Sequence, residues 1–346
     1  MSASPTPARL VEKASIRREN NFDIVRLALA MDVVLFHSSA LSDSPALAWL
    51  PAYASGQMAV EGFFAISGFL IFASYERCTS LGDYIQKRAY RILPAYWLAT
   101  VLCLLIAFSY GRFQVGGFLF ANLTFATYLH PGVPGVFQSN HETAMNGALW
   151  TIKIELMFYV AVPLIVWLCR RLHRDAVLWA LFAASIFYRV HVNGKFALQL
   201  PGQLSYFMIG ALVHYHLDFF MRYGRWLVAA AALFYGIHVW TGWFFLRPLA
   251  IAPLTLGAAL LLPHIQGPTR WGDFSYGSYV LHWPIIQVLV TTGLYRFHPW
   301  LGLLVGIVLV FAGAIFSWFL VEKPSLAHAH ARSRSGKAPQ PAIMLS

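Results

Sequence analysis

The feature that most constrains this chain is an apolar stretch at residues 22–41 that also carries ionisable side chains. It approaches the roughly 20 residues that an α-helix needs to cross a bilayer. Arg26 and His37 are 11 positions apart, or about three helical turns, so a helix places both on one face. Because ionisable groups are costly inside a membrane, this face requires a protein interior or a wet cavity. The stretch therefore predicts a catalytic or proton-handling His with a cationic binding residue below it. The alternative is a buried, hydrogen-bonded His and an Arg that extends to the membrane interface.

Composition places the chain among polytopic membrane proteins. Hydrophobic residues make up 58% of it and charged residues only 11%, whereas soluble domains contain about 25% charged residues. The net charge of +11 does not indicate nucleic-acid binding, because the Lys and Arg residues cluster between apolar runs, as they do in loops next to a membrane. The three scattered cysteines have no paired spacing, so we expect neither a disulfide framework nor a metal site. The predicted fold is all-α, a polytopic transmembrane helical bundle.

Apolar segments of roughly span length recur along the chain and predict about ten membrane-spanning helices. They lie at residues 23–42, 57–75, 92–110, 150–169, 176–191, 203–218, 226–246, 248–264, 275–293 and 301–321. A shorter, more polar segment at 116–129 is predicted to be re-entrant or interfacial, because the Lys and Arg residues then fall mainly on the cytoplasmic side. With both ends cytoplasmic, the chain divides into a basic N-terminal segment (1–21), a membrane domain (22–324) and a disordered tail (325–346).

Two arginines precede the third predicted span. Arg88 and Arg91 are three positions apart and share a helical face. Paired guanidinium groups recognise phosphates through forked hydrogen bonds, so both side chains are candidates for binding a phosphorylated ligand at a cytoplasmic mouth. The alternative is an ordinary positively charged membrane flank.

Later apolar runs carry further polar residues. Glu155 lies in the fourth full-length span and Glu61 in the second, where a carboxylate needs a cationic or hydroxyl partner. His282 lies in a late span, two residues before Pro284, which frees a backbone carbonyl and kinks a helix. Small residues of the second span, such as Gly68, predict close helix packing.

In order along the chain, these elements resemble the acyltransferase-3 family of integral membrane O-acyltransferases. The matching pieces are Phe22-Asp23 with Arg26 and His37; Gly62-Phe63-Phe64 with Ser67-Gly68-Phe69; Arg88 and Arg91 before Pro94; Leu149-Trp150 with Glu155, Phe158-Tyr159 and Pro163; Ser275-Tyr276 with Tyr279, His282 and Pro284; and Glu322 with Pro324. Together they cover nearly the whole chain. The chain departs from the family pattern at Thr151, where a Ser is expected beside the Trp, with Lys153 nearby.

The resemblance implies that an acyl group, usually acetyl, moves from a coenzyme A thioester to a hydroxyl. Such a reaction needs a base for the hydroxyl proton and a stabiliser for the oxyanion. His37 is the candidate base because imidazole titrates near neutrality. Asp32, Glu61 and Glu155 are alternative groups for orienting it. A covalent acyl-histidine intermediate is compatible with the same residues.

The other candidate residues keep two interpretations each. Arg26 binds the donor or stabilises developing charge, and His282 is a second acid/base or a structural hydrogen bonder. Arg88 and Arg91 are expected to bind the phosphates of acyl-CoA, which is a donor substrate rather than a permanently bound cofactor.

The resemblance also implies the partners and the location. We expect a multi-pass protein of the bacterial inner membrane whose acceptor is a surface or exported glycan, favoured here as a lipid-linked saccharide. Macrolides and other small molecules are alternative acceptors. A proton-coupled transporter is the competing class, since intramembrane Asp, Glu and His also form proton relays, although the sequence shows no internal repeat. A structural subunit would explain the spans but not the shared face of Arg26 and His37.

Overall fold

The structure is a computed structural model that describes residues 20–265 and 267–335. Within these ranges the chain forms helices and turns and contains no strand, which confirms the all-α fold. The α-helices, labelled in chain order, are α1 (Phe22–Ser42), α2 (Gly56–Glu76), α3 (Leu81–Ser109), α4 (Gly116–Leu123), α5 (Trp150–Arg171), α6 (Arg174–His191), α7 (Gly194–Ala197), α8 (Leu200–Tyr215), α9 (Leu217–Thr241), α10 (Leu246–Leu260), α11 (Ser275–Thr291), α12 (Leu294–Phe297), α13 (Pro299–Ser317) and α14 (Lys323–Ser335). A π-helical turn, Trp318–Glu322, joins α13 to α14.

Each of the ten predicted apolar segments falls on a helix, and eight of them agree with its bounds to within a few residues. The segments predicted at 92–110 and 226–246 lie in the longer helices Leu81–Ser109 and Leu217–Thr241, which begin 11 and 9 residues earlier. In the described part of the chain, six helical segments are long and apolar enough to cross a membrane. They are Phe22–Ser42, Pro45–Glu76, Leu81–Ser109, Gly147–Arg171, Gly194–Tyr215 and Pro299–Ala329. The protein is therefore a polytopic membrane protein, and the count of about ten spans stays a prediction.

Two predicted segments, 116–129 and 325–346, can be compared with the structure. At eight residues, α4 is too short to cross a bilayer, in line with the non-spanning segment predicted at 116–129. The described part of the predicted disordered tail is instead helical, since α14 continues to Ser335. Residues 1–19 of the predicted basic segment and residues 336–346 of the tail lie outside the described ranges.

Serine caps begin two of the long helices. The Ser55 side chain accepts a hydrogen bond from the backbone N–H of Met58 at the start of α2, and the Ser80 side chain accepts one from Asp83 at the start of α3. Each cap satisfies a donor that the first helical turn leaves unpaired. These short polar residues fix where the chain enters each apolar run.

The α2 and α8 helices pack at backbone contact through glycines. A Cβ atom at Gly68 of α2 would meet the carbonyl oxygen of Phe207, and a Cβ atom at Gly210 of α8 would meet the carbonyl oxygen of Ala65. The close packing predicted at Gly68 is thus present, and it depends on the absence of a side chain. The α2 helix in turn packs on α1, which carries Arg26 and His37.

We expect Gly68→Ala to destabilise the protein by about 1–3 kcal/mol, because the added methyl group overpacks a backbone contact. Gly236→Ala in α9 is the matched control, since a Cβ atom there meets nothing within 4 Å. That change should be neutral or slightly stabilising, as Ala is the better helix former. Thermal unfolding of the detergent-solubilised variants measures both, and equal midpoints would contradict the proposed contact.

Candidate active site

Helices α1 and α11 bring two histidines into direct contact. The Nε2 atom of His282 lies 3.0 Å from the Nδ1 atom of His37. Their rings are nearly parallel, with centroids 5.0 Å apart. His282 is fully buried and His37 is half-buried. The sequence pointed to each imidazole separately, and the fold makes them a pair.

The hydrogen-bond partners of the two rings determine which nitrogen of each ring carries the proton. The Nδ1 atom of His282 lies 2.7 Å from the carbonyl oxygen of Tyr279, and a carbonyl only accepts. His282 therefore carries its proton on Nδ1, and in the neutral ring Nε2 is the acceptor. His37 must then donate through Nδ1–H, so that Nε2 carries the lone pair of its neutral ring. Tyr279, His282 and His37 form one directed chain of hydrogen bonds that ends at a basic nitrogen.

Hydrogen bonds to the loop before α5 hold the residues around His282 in place. Pro284 has no N–H for the carbonyl of Val280, one turn earlier in α11. The side chain of Asn146 donates to that carbonyl at 2.8 Å. The indole N–H of Trp283 donates to the Ala144 carbonyl at 3.0 Å, and its ring lies edge-on to His37 with centroids 4.8 Å apart. As predicted, Pro284 leaves one carbonyl, that of Val280, without a partner in the helix. Asn146, in the loop before α5, donates to it instead.

The three carboxylates considered for orienting His37 have other partners. Asp32 accepts from the backbone N–H of Ser55 at 3.2 Å. Glu155 accepts from the hydroxyl of Tyr159 at 2.7 Å. The group that contacts and orients His37 is therefore His282 and not one of these carboxylates.

Glu61 belongs to a separate buried ion pair. It accepts from the Arg247 guanidinium at 2.8 Å and from the Gln57 amide at 2.9 Å. The cationic partner that a carboxylate in the second span requires is therefore Arg247, at the start of α10. Glu61 links α2 to α10 and is not part of the histidine pair.

At the other end of α1, one carboxylate binds two arginines. Arg26 of α1 and Arg91 of α3 both donate to Oδ2 of Asp273, just before α11. Oδ1 of Asp273 accepts from the backbone N–H of Ser275 at 3.1 Å and also from its hydroxyl. Burial raises the pKa of Asp273, but the two guanidinium groups outweigh this effect and hold the pKa below its usual range. Asp273 is therefore ionised at neutral pH.

Asp273 is absent from the candidates that the sequence suggested, although a signal for it was present. It stands two residues before Ser275, where the apolar pattern of a late span begins. An acidic residue at that position favours a helix N-terminus, but no local pattern relates it to Arg26 or Arg91.

The two arginines of the Arg-x-x-Arg motif point to different helices. Arg91 contacts Asp273, whereas Arg88 donates to the Ser74 hydroxyl of α2 at 2.9 Å. The Arg88 guanidinium also lies 5.7 Å from the centroid of the Tyr159 ring. Its Nε atom is buried and has no hydrogen-bond partner. Arg91 is thus bound by a carboxylate of the protein, whereas Arg88 contacts a hydroxyl and an aromatic ring.

A cavity lies between the arginine cluster and the histidine pair, with an empty volume of about 480 Å³. Its walls come from α1, α2, α5 and α11: Arg26, Val60, Phe63, Phe64, Ser67, Thr151, Ile152, Glu155, Ser275, Tyr276 and Tyr279. The Thr151 and Tyr279 hydroxyl oxygens are 2.7 Å apart. The histidines lie behind Tyr279, whose ring centroid is 5.9 Å from that of His282. Arg26 and Glu155 line this cavity, and the histidine pair is next to its wall residue Tyr279 through His282.

Comparison with known proteins shows which family the chain resembles. A family model described as an acyltransferase domain matches residues 19–321. The chain is 28% identical to nodulation protein 10 of Rhizobium leguminosarum bv. viciae over 89% of its length and 93% of that protein. It is 26% identical to an O-acetyl transferase of Shigella phage Sf6 over 89% of its length and 96% of that protein. No solved structure matches the chain.

We expect Asp273→Ala to destabilise the protein by about 3–5 kcal/mol, because it leaves two guanidinium groups without their buried counter-ion. The contribution of the ionised carboxylate is present above its unfolded pKa of about 3.9, and it is lost as the pH falls further, since the folded pKa is the lower one. Thermal unfolding at pH 7 checks the loss.

Asp175→Ala is the control for this change. Asp175 pairs with Arg174 and His216 at the surface, so its loss should cost about 1 kcal/mol or less. An Asp273→Ala protein as stable as this control would show that the arginines do not depend on the shared carboxylate.

Proposed function

The chain belongs to the acyltransferase family whose domain it matches, and we propose that it is an integral membrane O-acyltransferase that moves an acetyl group from cytoplasmic acyl-CoA to a hydroxyl of a surface or exported glycan. The phage relative is named as an O-acetyl transferase, which supports acetyl as the group transferred. Family membership favours a transferase over the proton-coupled transporter. In this proposal the membrane is the bacterial inner membrane, with both chain ends in the cytoplasm.

The hydrogen-bonded histidine pair carries the proposal. An alcohol attacks a thioester only when a base takes its proton. The Nε2 lone pair of His37 is that base, and His282 positions it through their 3.0 Å contact. The alcohol oxygen then forms a bond to the acyl carbon, and the bond from that carbon to sulfur breaks. The proton held on His37 passes to the departing thiolate, which leaves as coenzyme A.

His282 takes the place that a carboxylate occupies in a Ser-His-Asp triad. It fixes the tautomer of His37 and accepts its Nδ1–H, which are the functions of the third residue in such a triad. A neutral imidazole stabilises the protonated form of His37 less than a carboxylate would. The imidazolium form of His37 is therefore expected to be short-lived and to return its proton to the leaving group. The direct attack proposed here needs no covalent acyl-histidine intermediate.

The donor binds at the arginine end of the cavity in this proposal. Acyl-CoA is polyanionic, and guanidinium groups bind phosphates through charge-assisted hydrogen bonds. Arg88 is the stronger phosphate candidate of the two, because in the described part of the chain it contacts the Ser74 hydroxyl and forms no ion pair. Arg26 and Arg91 are held by Asp273, and Arg26 lines the cavity. Because Arg26 lies about 16 Å along α1 from His37, its charge is suited to binding the donor and not to the oxyanion that forms beside His37.

We expect His37→Gln to lower acyl transfer by about 10²–10⁴-fold, the usual contribution of a general base. Glutamine keeps hydrogen bonding but takes no proton at a useful pH. His282→Gln should retain more activity than His282→Leu, because the amide oxygen of Gln still accepts from His37. Transfer from acetyl-CoA to crude membrane glycan, measured beside the membrane level of each variant, checks the order.

An active His37→Gln protein at normal abundance would overturn this mechanism. The base would then be sought at His282 or Glu155. Loss of protein from the membrane in His37→Ala, together with full activity in His37→Gln, would identify His37 as a packing residue.

We expect Arg88→Lys to weaken coenzyme A binding by about 10-fold or more, because an ammonium group does not reproduce the fork of a guanidinium group. Arg174→Lys is the matched control, since Arg174 also lies over a tyrosine ring, with its guanidinium carbon 4.4 Å from the Tyr215 centroid. Calorimetric titration with coenzyme A measures both. Equal affinities for the two variants would remove Arg88 from the donor site.

A further inference from the structure

A second and larger cleft lies on the side of α5 away from the cavity. Its empty volume is about 1320 Å³. It is lined by Thr127, Tyr128, Trp150, Lys153, Lys195, Phe196, Leu198 and Gln199. These residues come from the loop after α4, the start of α5, and α7 with the two residues that join it to α8.

The first turns of α5 separate the cleft from the cavity. Trp150 and Lys153 are three residues apart and share a helical face, which forms a wall of the cleft. Thr151 and Glu155 are four residues apart and share a different face, which lines the cavity. A ligand in the cleft therefore lies beside the reaction site, with only the N-terminal turns of one helix between them.

The charges in this cleft are not balanced by the protein. Lys153 lies over the Tyr128 ring, with its Nζ atom 5.0 Å from the ring centroid. In the part of the chain that the structure describes, neither Lys153 nor Lys195 forms an ion pair. The remaining walls are mainly aromatic or aliphatic, including Phe196, which is 73% exposed. Two ammonium groups on an apolar surface favour an anionic ligand that also carries an apolar chain.

We propose that this cleft binds the phosphate-bearing head of a lipid-linked saccharide, the acceptor of the transfer reaction. Lys153 and Lys195 bind the phosphate as point charges, and the lipid chain lies along Phe196 and Leu198. The saccharide extends from the phosphate past Trp150, at the end of α5 that lies near Thr151 and the histidine pair. The inference rests on the proposed function for the identity of the acceptor, whereas the anionic site itself rests on the cleft.

Amine reactivity in nanodiscs tests this site directly. The purified protein is placed in phosphatidylcholine nanodiscs that contain polyprenyl phosphate, neutral polyprenol or phosphatidylglycerol. An amine-reactive acylating reagent then labels exposed lysines, and mass spectrometry measures the extent at each position. We expect polyprenyl phosphate to slow labelling of Lys153 and Lys195 by about 10-fold or more, and the other two lipids to leave it unchanged. Lys323 serves as the internal control, because its Nζ atom also lies over an aromatic ring, 5.3 Å from the Phe319 centroid, outside the cleft.

Variants separate the site from general attraction to lipid. In native mass spectrometry, Lys153→Gln with Lys195→Gln should lower retention of polyprenyl phosphate by about 10-fold. Lys153→Arg, which keeps the charge, and Lys323→Gln should retain it. Equal protection by phosphatidylglycerol, or protection at Lys323 as well, would overturn the proposal in favour of non-selective contact with anionic lipids. No protection by polyprenyl phosphate would overturn it outright.

A donor measurement distinguishes failure of this site from failure of the proposed function. Hydrolysis of acetyl-CoA without an acceptor reports on the donor side alone. The double glutamine variant should hydrolyse acetyl-CoA at the wild-type rate while it loses lipid binding. Lipid protection in a wild-type protein that neither hydrolyses nor transfers acetyl groups would uphold the anionic site and refute the acyltransferase mechanism.

Discussion

The buried carboxylate of Asp273 is the interaction on which the rest of this structure depends. It joins Arg26 of α1 and Arg91 of α3 at the first residues of α11. Without it, two guanidinium groups would face each other in a poorly solvated interior, which is strongly unfavourable. With it, three helices from distant parts of the chain share one fixed point. Because α1 and α11 both start there and run in the same direction, their relative height is set at this end.

The same fixed point determines where the histidines meet. From Arg26 to His37 the rise along α1 is about 16 Å, and from Asp273 to His282 the rise along α11 is about 13 Å. Two helices joined at their bases therefore bring the two imidazoles to nearly the same level. The Val280 carbonyl, which Pro284 leaves without a helical N–H partner, accepts from Asn146 and ties α11 to the loop before α5. The cavity lies beside these two helices, with Arg26 of α1 and Tyr279 of α11 in its wall.

In the proposed function, this layout separates the two requirements of acyl transfer in space. A phosphate-binding site needs cations, whereas a neutral base needs a nonpolar environment that disfavours the charged form. Arg26 and His37 lie about 16 Å apart along α1, and Thr151 and Tyr279 line the cavity together with Arg26. The cleft at Lys153 adds a third region beside the histidine end. Helix α5 lines both the cavity and this cleft, because two different faces of the helix point to different neighbours.

The sequence by itself determined the helical class, the positions of the apolar helices, and the residues that carry chemistry inside them. These features follow from local rules: hydrophobic length, the cost of an ionisable side chain in a membrane, the shared face of Arg26 and His37, and the missing N–H of Pro284. The partners were decided only by the tertiary structure. The sequence suggested Asp32, Glu61 or Glu155 for His37 and overlooked Asp273, yet His37 pairs with a residue 245 positions away, and Asp273 binds arginines 247 and 182 positions away. No periodicity relates residues at such separations, because their contact depends on how the helices pack and not on where each helix begins or which face it presents.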